Sequence, residues 1–449
     1  MRSTGVRRGL AAVACLAAPL LPPPAAAQAD SRTDWFGYHG GAVHSGYSVG
    51  TPAPGVPRVA WRRGLDGQVQ ASPLVVGTLV VAATENNTLY GLDRATGRAV
   101  WSHHFGTPVR SSSLPCGNID PLGITGTPVY DPGTGRVFAV TTTTAGGRVR
   151  HTLFGVNARN GRTEVQVVID PRGQDPAVEN QRGALNLSRG RVLITYGGHL
   201  GDCGSFHGYL VSVPTSGKGV GYYRVGTQGA AGMWQPSGPS VDGSGLVYVV
   251  SGNGRATSGA WDGGNAVHVV DPVTLRRRDF FAESTWAQGN RDDSDLGSAG
   301  ALLFQGRIWV QGKTSTGYVL DLHHLGGVGH PLQTVKGACD RQFGGAATHG
   351  GSVFAPCTDG LRQLYVRPNR TVRLGWKAPS NVTGSPVVGG GAVWSLDTGA
   401  GMLYELDERS GRVVHTVGVG AVVRFATPAL SGSLLFVGTR SGITAVKGV

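Results

Sequence analysis

The chain has 449 residues, 74 of them Gly, with 15% charged and 40% hydrophobic residues and a formal net charge of +13. This composition excludes global disorder, the absence of a three-residue Gly period excludes collagen, and so much Gly disfavours a long helical bundle. The charge is not a nucleic-acid footprint: lysine occurs only as Lys218, Lys313, Lys336, Lys377 and Lys447, and the arginines are scattered, without a basic helix or an aromatic–basic stripe, as on a soluble surface.

The first element is an export signal. Arg7 and Arg8 form a basic start, 10–21 is an apolar run too short to span a bilayer, and Ala25-Ala26-Ala27 offers a small-residue cleavage site. Residues 1–27 are read as signal peptide, 28–56 as an N-terminal segment and 57–449 as one domain, with no later membrane span. The protein is therefore expected to be secreted. Loss of the signal, which holds Cys15, leaves Cys116, Cys203, Cys339 and Cys357, an even set suited to two disulfides in an oxidising compartment.

From 71 the chain becomes a string of short strands. Segments 71–76, 79–83, 88–93 and 98–101, joined by tight turns at Gly77-Thr78 and Ala95-Thr96-Gly97, predict one four-stranded antiparallel sheet. The pattern recurs. A Pro opens the first strand at Pro73, Pro128, Pro239, Pro386 and Pro428, where a missing N–H costs least. An Asp or Asn ends the third strand at Asp93, Asn157, Asp271, Asp321 and Asp407, and Gly97, Gly161 and Gly411 follow in the turn. Sets without the Pro begin near Ala184, Ala301 and Ala346. Eight units at a spacing of roughly 40 to 60 residues predict an all-β, eight-bladed β-propeller. The last unit lacks a fourth strand, and 59–61 is expected to supply it, because Trp61 matches the fourth-strand Trp101 and Trp376. Ring closure by the N-terminal strand would also remove exposed sheet edges.

In such a ring, turns between first and second and between third and fourth strands share one face. Those turns are uniformly short here. The long connections, 106–123, 142–151, 170–183, 197–207, 252–264 and 283–298, all belong to the opposite face. All four cysteines sort to that face as well, which predicts Cys116–Cys203 and Cys339–Cys357. Function is expected on this elaborated face.

The unit Asp-x-x-Thr-Gly-Arg-x-x-Trp at 93–101 resembles the pyrroloquinoline quinone (PQQ) repeat of quinoprotein alcohol dehydrogenases and of many non-catalytic propellers. The resemblance covers nearly all of the expected mature chain and is closest to secreted PQQ-like repeat proteins of high-GC Gram-positive bacteria. It implies four roles in a dehydrogenase: Trp234 stacks on the quinone, Asn253 of Gly252-Asn253-Gly254 binds Ca2+, Asp295 of Asp292-Asp293-Ser294-Asp295 acts as catalytic base beside the metal and as a further ligand, and Lys313 contacts the quinone. The chemistry suits these types, since a planar quinone needs an aromatic face and a hard cation needs oxygen donors. The chain departs from that pattern in lacking the adjacent cysteine pair over the quinone, the Glu that completes the Ca2+ site and any Cys-x-x-Cys-His haem attachment. At the place of the Glu stands His199-Leu200-Gly201-Asp202-Cys203-Gly204, in which Asp202 is the possible substitute. The glycines at 252 and 254 also have a purely structural reading, as a turn needing permissive backbone geometry. Two functions are thus expected. The favoured one is a secreted, monomeric binding or scaffold module without bound quinone, contacting a protein or glycan through its loop face. The alternative is a PQQ- and Ca2+-dependent dehydrogenase of an alcohol, sugar or polyol.

Overall fold

The computed structural model describes residues 1, 2, 5 and 33–449, apart from 227, 368 and 370. The export signal at 7–27 and its cleavage site lie outside the described residues. Eight antiparallel sheets follow one another around a ring. Blade 1 comprises Leu74–Val76, Leu79–Ala83, Thr88–Asp93 and Ala99–His104 in spatial order. Blade 2 runs from Val129–Asp131 to Thr163–Val168, blade 3 from Asn186–Ser188 to Gly221–Arg224, and blade 4 from Ser240–Val241 to Arg277–Ala282. Blade 5 runs from Leu302–Phe304 to Gln333–Lys336, blade 6 from Ala347–His349 to Val372–Lys377, and blade 7 from Val387–Gly389 to Val413–Gly418. Among the described residues no helix is long and apolar enough to cross a membrane.

Blade 8 is built from both ends of the chain. Ala429–Ser431, Leu434–Thr439 and Gly442–Lys447 are completed by Arg58–Gly64, which pairs antiparallel with Gly442–Lys447 and sets Trp61 opposite Ala445. The fourth-strand tryptophan has a repeated job. Trp61 Nε1 donates to Arg94 O (3.1 Å), Trp101 Nε1 to Ala158 O (2.9 Å) and Trp376 Nε1 to Glu408 O (3.0 Å), in each case in the third-to-fourth-strand turn of the next blade. The turn glycine is flat against that indole. A Cβ on Gly97 would lie 2.6 Å from Trp61, on Gly161 2.5 Å from Trp101 and on Gly411 2.4 Å from Trp376. Gly97 also has φ +72°, a conformation costly for any residue with a side chain. The Asp that ends the third strand caps the same turn, with Asp93 Oδ1 accepting from Thr96 N (2.9 Å) and Asp407 Oδ1 from Ser410 N (2.8 Å).

Segment 33–48, ahead of the closing strand, is part of the disc. The first strands face the axis and leave backbone groups free on their inner edges. Trp35 pairs with Val75, and Tyr130 N, Val241 N, Thr348 N and Val388 N donate to Phe36 O, Ala42 O, Ser45 O and Gly46 O at 2.7–2.9 Å. The segment therefore crosses the inner strands of blades 1, 2, 4, 6 and 7 and closes the axis on the short-turn side. One expected insertion is regular: 142–151 belongs to a long hairpin, Arg136–Ala145 with Arg148–Asn157, turning at Gly146-Gly147 with φ +58° and +73°. Its Thr-rich run pairs as strand, which suits β-branched residues.

Trp61→Ala is expected to lower stability by about 2–4 kcal/mol in denaturant unfolding, because it removes the indole and the donor that tie blade 8 to blade 1. A loss below about 0.5 kcal/mol would contradict the latch.

Candidate functional site

The long connections 252–264 and 283–298 meet where blades 4 and 5 face the axis. The second strand of blade 4, Val247–Ser251, delivers Gly252-Asn253-Gly254. The connection to blade 5 folds into a short helix, Trp286–Arg291, and a 3-10 turn, Leu296–Ser298, which carry the aspartates back over it. Asp295 is buried, and its Oδ1 accepts from Asn253 N (2.7 Å). Its Oδ2 lies 2.6 Å from Lys313 Nζ, which is also 2.7 Å from Asp293 Oδ1. Asn253 Nδ2 donates to Asp293 Oδ1 (2.9 Å). Lys313 Nζ stands 5.8 Å from the centroid of Trp234, within cation–π range. The structure thus brings Trp234, Asn253, Asp295 and Lys313 together, with Asp293 at the rim. Asp292 turns away and accepts from Gln288.

Gly252 and Gly254 are required by close approach and not by positive φ. A Cβ at Gly252 would lie 2.4 Å from Asp295 Oδ1, and one at Gly254 2.1 Å from Asp262 Oδ2. Asn265, which belongs to no motif, organises the cluster. Its Nδ2 donates to Asn253 Oδ1 and to Asn290 Oδ1, both at 3.0 Å, and its Oδ1 accepts from Leu296 N (2.9 Å).

Two disulfides brace the face. Cys116–Cys203 joins the connection into blade 2 to a loop of blade 3, and Cys339–Cys357 joins the connection into blade 6 to the end of that blade's second strand. Such bonds suit an oxidising compartment. Asp202, beside Cys203, has its pKa raised by desolvation and by the charges of Asp295 and Asp293.

The electrostatics of the cluster are already balanced. Burial disfavours the charged form of Lys313, yet Asp295 and Asp293 hold its pKa above the usual lysine value. Its ammonium is therefore the cation of this acidic pair. Asn253 Oδ1 and both Asp295 oxygens have partners within the protein. Asp202, the possible further ligand, is within electrostatic reach of Asp295, Asp293 and Lys313; His199, three residues earlier, has its pKa lowered by burial to about 4. Among the described residues no group of three His, Cys, Asp or Glu is arranged to hold a metal ion. As folded, Asn253 Oδ1 and the Asp295 carboxylate are engaged by protein partners, with Lys313 as the cation beside them.

The aromatic surface continues around the axis. Phe343 lies 6.3 Å from Trp234 and 6.4 Å from Phe425, ring centroid to centroid. Arg424 lies over both Phe343 (4.4 Å) and Phe425 (5.2 Å), and Arg182 over Phe425 (4.4 Å). The arginines expected to be dispersed on the surface thus include two on the axis, which no local motif marks.

Comparison with solved structures settles the architecture. Quinohemoprotein alcohol dehydrogenase from Comamonas testosteroni superposes with a TM-score of 0.70 at 14% identity, over 94% of this chain and 81% of that one. The fold is that of the quinoprotein propellers. A europium-containing methanol dehydrogenase gives a TM-score of 0.68 at 15% identity over 92% and 98% of the two chains. BamB from Moraxella catarrhalis gives 0.58 at 13% over 87% and 98%. Residues 57–197 match the PQQ_2 family model, described as outer membrane protein assembly factor BamB. No curated protein matches the sequence.

Glu179, on a two-residue strand against blade 3, is buried with Oε2 unpartnered, and its Oε1 accepts from His207 N (3.0 Å). Burial raises its pKa from 4.5 to about 8, opposed by that hydrogen bond. The folded state thus keeps a proton that the unfolded chain releases near pH 4.5. Stability from this group is complete below that pH and is lost as pH rises towards 8. Thermal unfolding across this window is expected to show a falling Tm with a shallower slope in Glu179→Gln. An unchanged slope would contradict the assignment.

Proposed function

We propose that the chain is a secreted, monomeric binding or scaffold propeller that engages a protein or glycan through its disulfide-braced loop face, without bound quinone. The observation that carries this reading is the Lys313 ammonium, set 2.7 Å from Asp293 and 2.6 Å from Asp295. It supplies internally the charge that a metal would otherwise bring to Asn253 and Asp295. Export is supported by the basic, apolar and small-residue pattern of 7–27 together with the two disulfides. A scaffold role is in keeping with the likeness of 57–197 to a family described as an assembly factor.

A second reading, PQQ- and Ca2+-dependent oxidation of an alcohol, sugar or polyol, is favoured by the convergence of Trp234, Asn253, Asp295 and Lys313 and by the dehydrogenase neighbours. It requires Lys313 to give up its carboxylate partners.

Calorimetric titration of the mature protein with PQQ and Ca2+, followed by a dye-linked oxidation assay on an alcohol panel, separates the two. The expected result is no quinone binding at micromolar concentration and no turnover. Stoichiometric quinone binding that is lost in Trp234→Ala and in Asn253→Ala would establish the second reading instead.

A further inference from the structure

The turn after the third strand of blade 5 departs from its counterparts. Asp321 still opens it, with Oδ1 accepting from His323 N (2.8 Å). The chain then runs out as a strap, 322–332, before the fourth strand Gln333–Lys336 begins. Gly327–Val328 of the strap pairs parallel with Phe281–Ala282 in the fourth strand of blade 4, and Gly329 N donates to Ala282 O (2.8 Å). Gly326, Gly327 and Gly329 have φ of +100°, +67° and +81°, and a Cβ on Gly326 would lie 1.9 Å from His330 O. The strap is therefore a formed element that joins blade 5 to the outer edge of blade 4.

Its first residues, Leu322, His323 and His324, form one wall of a half-enclosed cavity of about 550 Å³, and blade 4 supplies the rest. That volume lies within the range of small-molecule sites. Two carboxylates in the wall are held by the backbone. Asp242 Oδ1 accepts from Ser244 N and Leu246 N, both at 2.9 Å. Asp279 Oδ1 accepts from Phe280 N (2.8 Å), and its Oδ2 from Leu325 N of the strap (2.7 Å). The Tyr248 hydroxyl donates to Asp242 Oδ2 (3.0 Å) and to Leu322 O (3.1 Å), which ties the two walls together. Burial, and then the charges of Asp242 and Asp279, raise the Tyr248 pKa, so both carboxylates act on one hydroxyl. Among the described residues neither carboxylate makes an ion pair. Arg278 of the same wall is exposed and reaches Asp271 at 3.3 Å. His323 and His324 are exposed, and among the described residues their side chains make no hydrogen bond. Leu246 and Leu322 add half-buried apolar surface.

We infer that this cavity binds a neutral sugar, as a single ring or a disaccharide. The mixture of groups decides the class. A carboxylate only accepts, a guanidinium only donates and an imidazole does either, whereas each sugar hydroxyl donates and accepts at once. A simple anion would face Asp242 and Asp279, and a simple cation would face Arg278. A neutral polyol meets neither repulsion, and the C–H face of its ring suits Leu246 and Leu322. The cavity opens beside the first-to-second-strand turn of blade 4, on the side of the disc away from Asn253 and Asp295, so it stands or falls apart from both readings above.

The test is saturation-transfer difference NMR on the mature protein at millimolar probe, with glucose, galactose, N-acetylglucosamine and maltose as sugars and with lysine and citrate as the charged arms. At least one sugar is expected to give a saturable signal, and neither charged probe is. Asp279→Asn keeps an acceptor for Leu325 N and is expected to weaken sugar binding about tenfold, the worth of one charged hydrogen bond. His324→Ala, at an exposed position that does not endanger folding, is expected to weaken it about threefold or more. Silence of all four sugars, a response confined to lysine or citrate, or sugar binding of parent strength in His324→Ala and in a folded Asp279→Asn would overturn the inference.

Discussion

The contact between each fourth-strand tryptophan and the next blade's turn glycine is the interaction on which the disc depends. A four-stranded blade cannot bury both faces alone, so it must be covered by its neighbours. Trp101 and Trp376 each lay an indole on the glycine of the following turn and donate to a carbonyl three residues before it. Trp61 repeats the contact across the one junction where the chain is not continuous, between blade 8 and blade 1. The ring is thus closed by the same contact that joins blade 1 to blade 2 and blade 6 to blade 7. Closure in turn fixes which connections lie on which face, and so places most long loops on the side opposite the axial plug; the exception to the expected short turns is 322–332, between the third and fourth strands of blade 5, whose Gly327–Val328 pairs with the fourth strand of blade 4.

Around Asp295 the arrangement is dense, and its carboxylate oxygens are both partnered. Gly312 would bring a Cβ to 1.9 Å from Asp295 O, and Gly252 to 2.4 Å from Asp295 Oδ1, so backbone passes where side chains cannot. Asn265 bridges three chain segments from a conformation with φ +49°. The cluster is consequently rigid and its charges are matched by Lys313. Structural neighbours that include dehydrogenases and BamB share the scaffold, and a shared scaffold does not transfer a reaction. What differs among such propellers is the charge placed at the loop face, and here it is an ammonium between two carboxylates with an arginine–phenylalanine stack beside it.

Much of this was legible in the amino-acid sequence. Blade boundaries follow from Pro at first-strand starts and from Asp and Gly in the turns, because each is tied to a backbone requirement. Closure was legible because Trp61 matches Trp101 and Trp376, and the disulfide pairing because the ring brings particular loops together. Three features were not. Segment 33–48 joins the disc through backbone hydrogen bonds to inner strand edges, which leave no alternation of side chains to read. The run 142–151 reads as a long connection, whereas it lengthens two strands, Arg136–Ala145 and Arg148–Asn157, into one hairpin. Arg182, Arg424, Asn265 and Asn290 belong to no motif, and only the radial geometry makes them neighbours.

The central claim is that Lys313 occupies the place of a cation beside Asn253 and Asp295. A high-resolution crystal structure of the mature protein grown with Ca2+ and PQQ tests it most directly. The account requires the Lys313 ammonium between Asp293 and Asp295, with no metal on the Asn253 side chain. Density for a cation bound to Asn253 Oδ1 and Asp295, with Lys313 displaced, would contradict it.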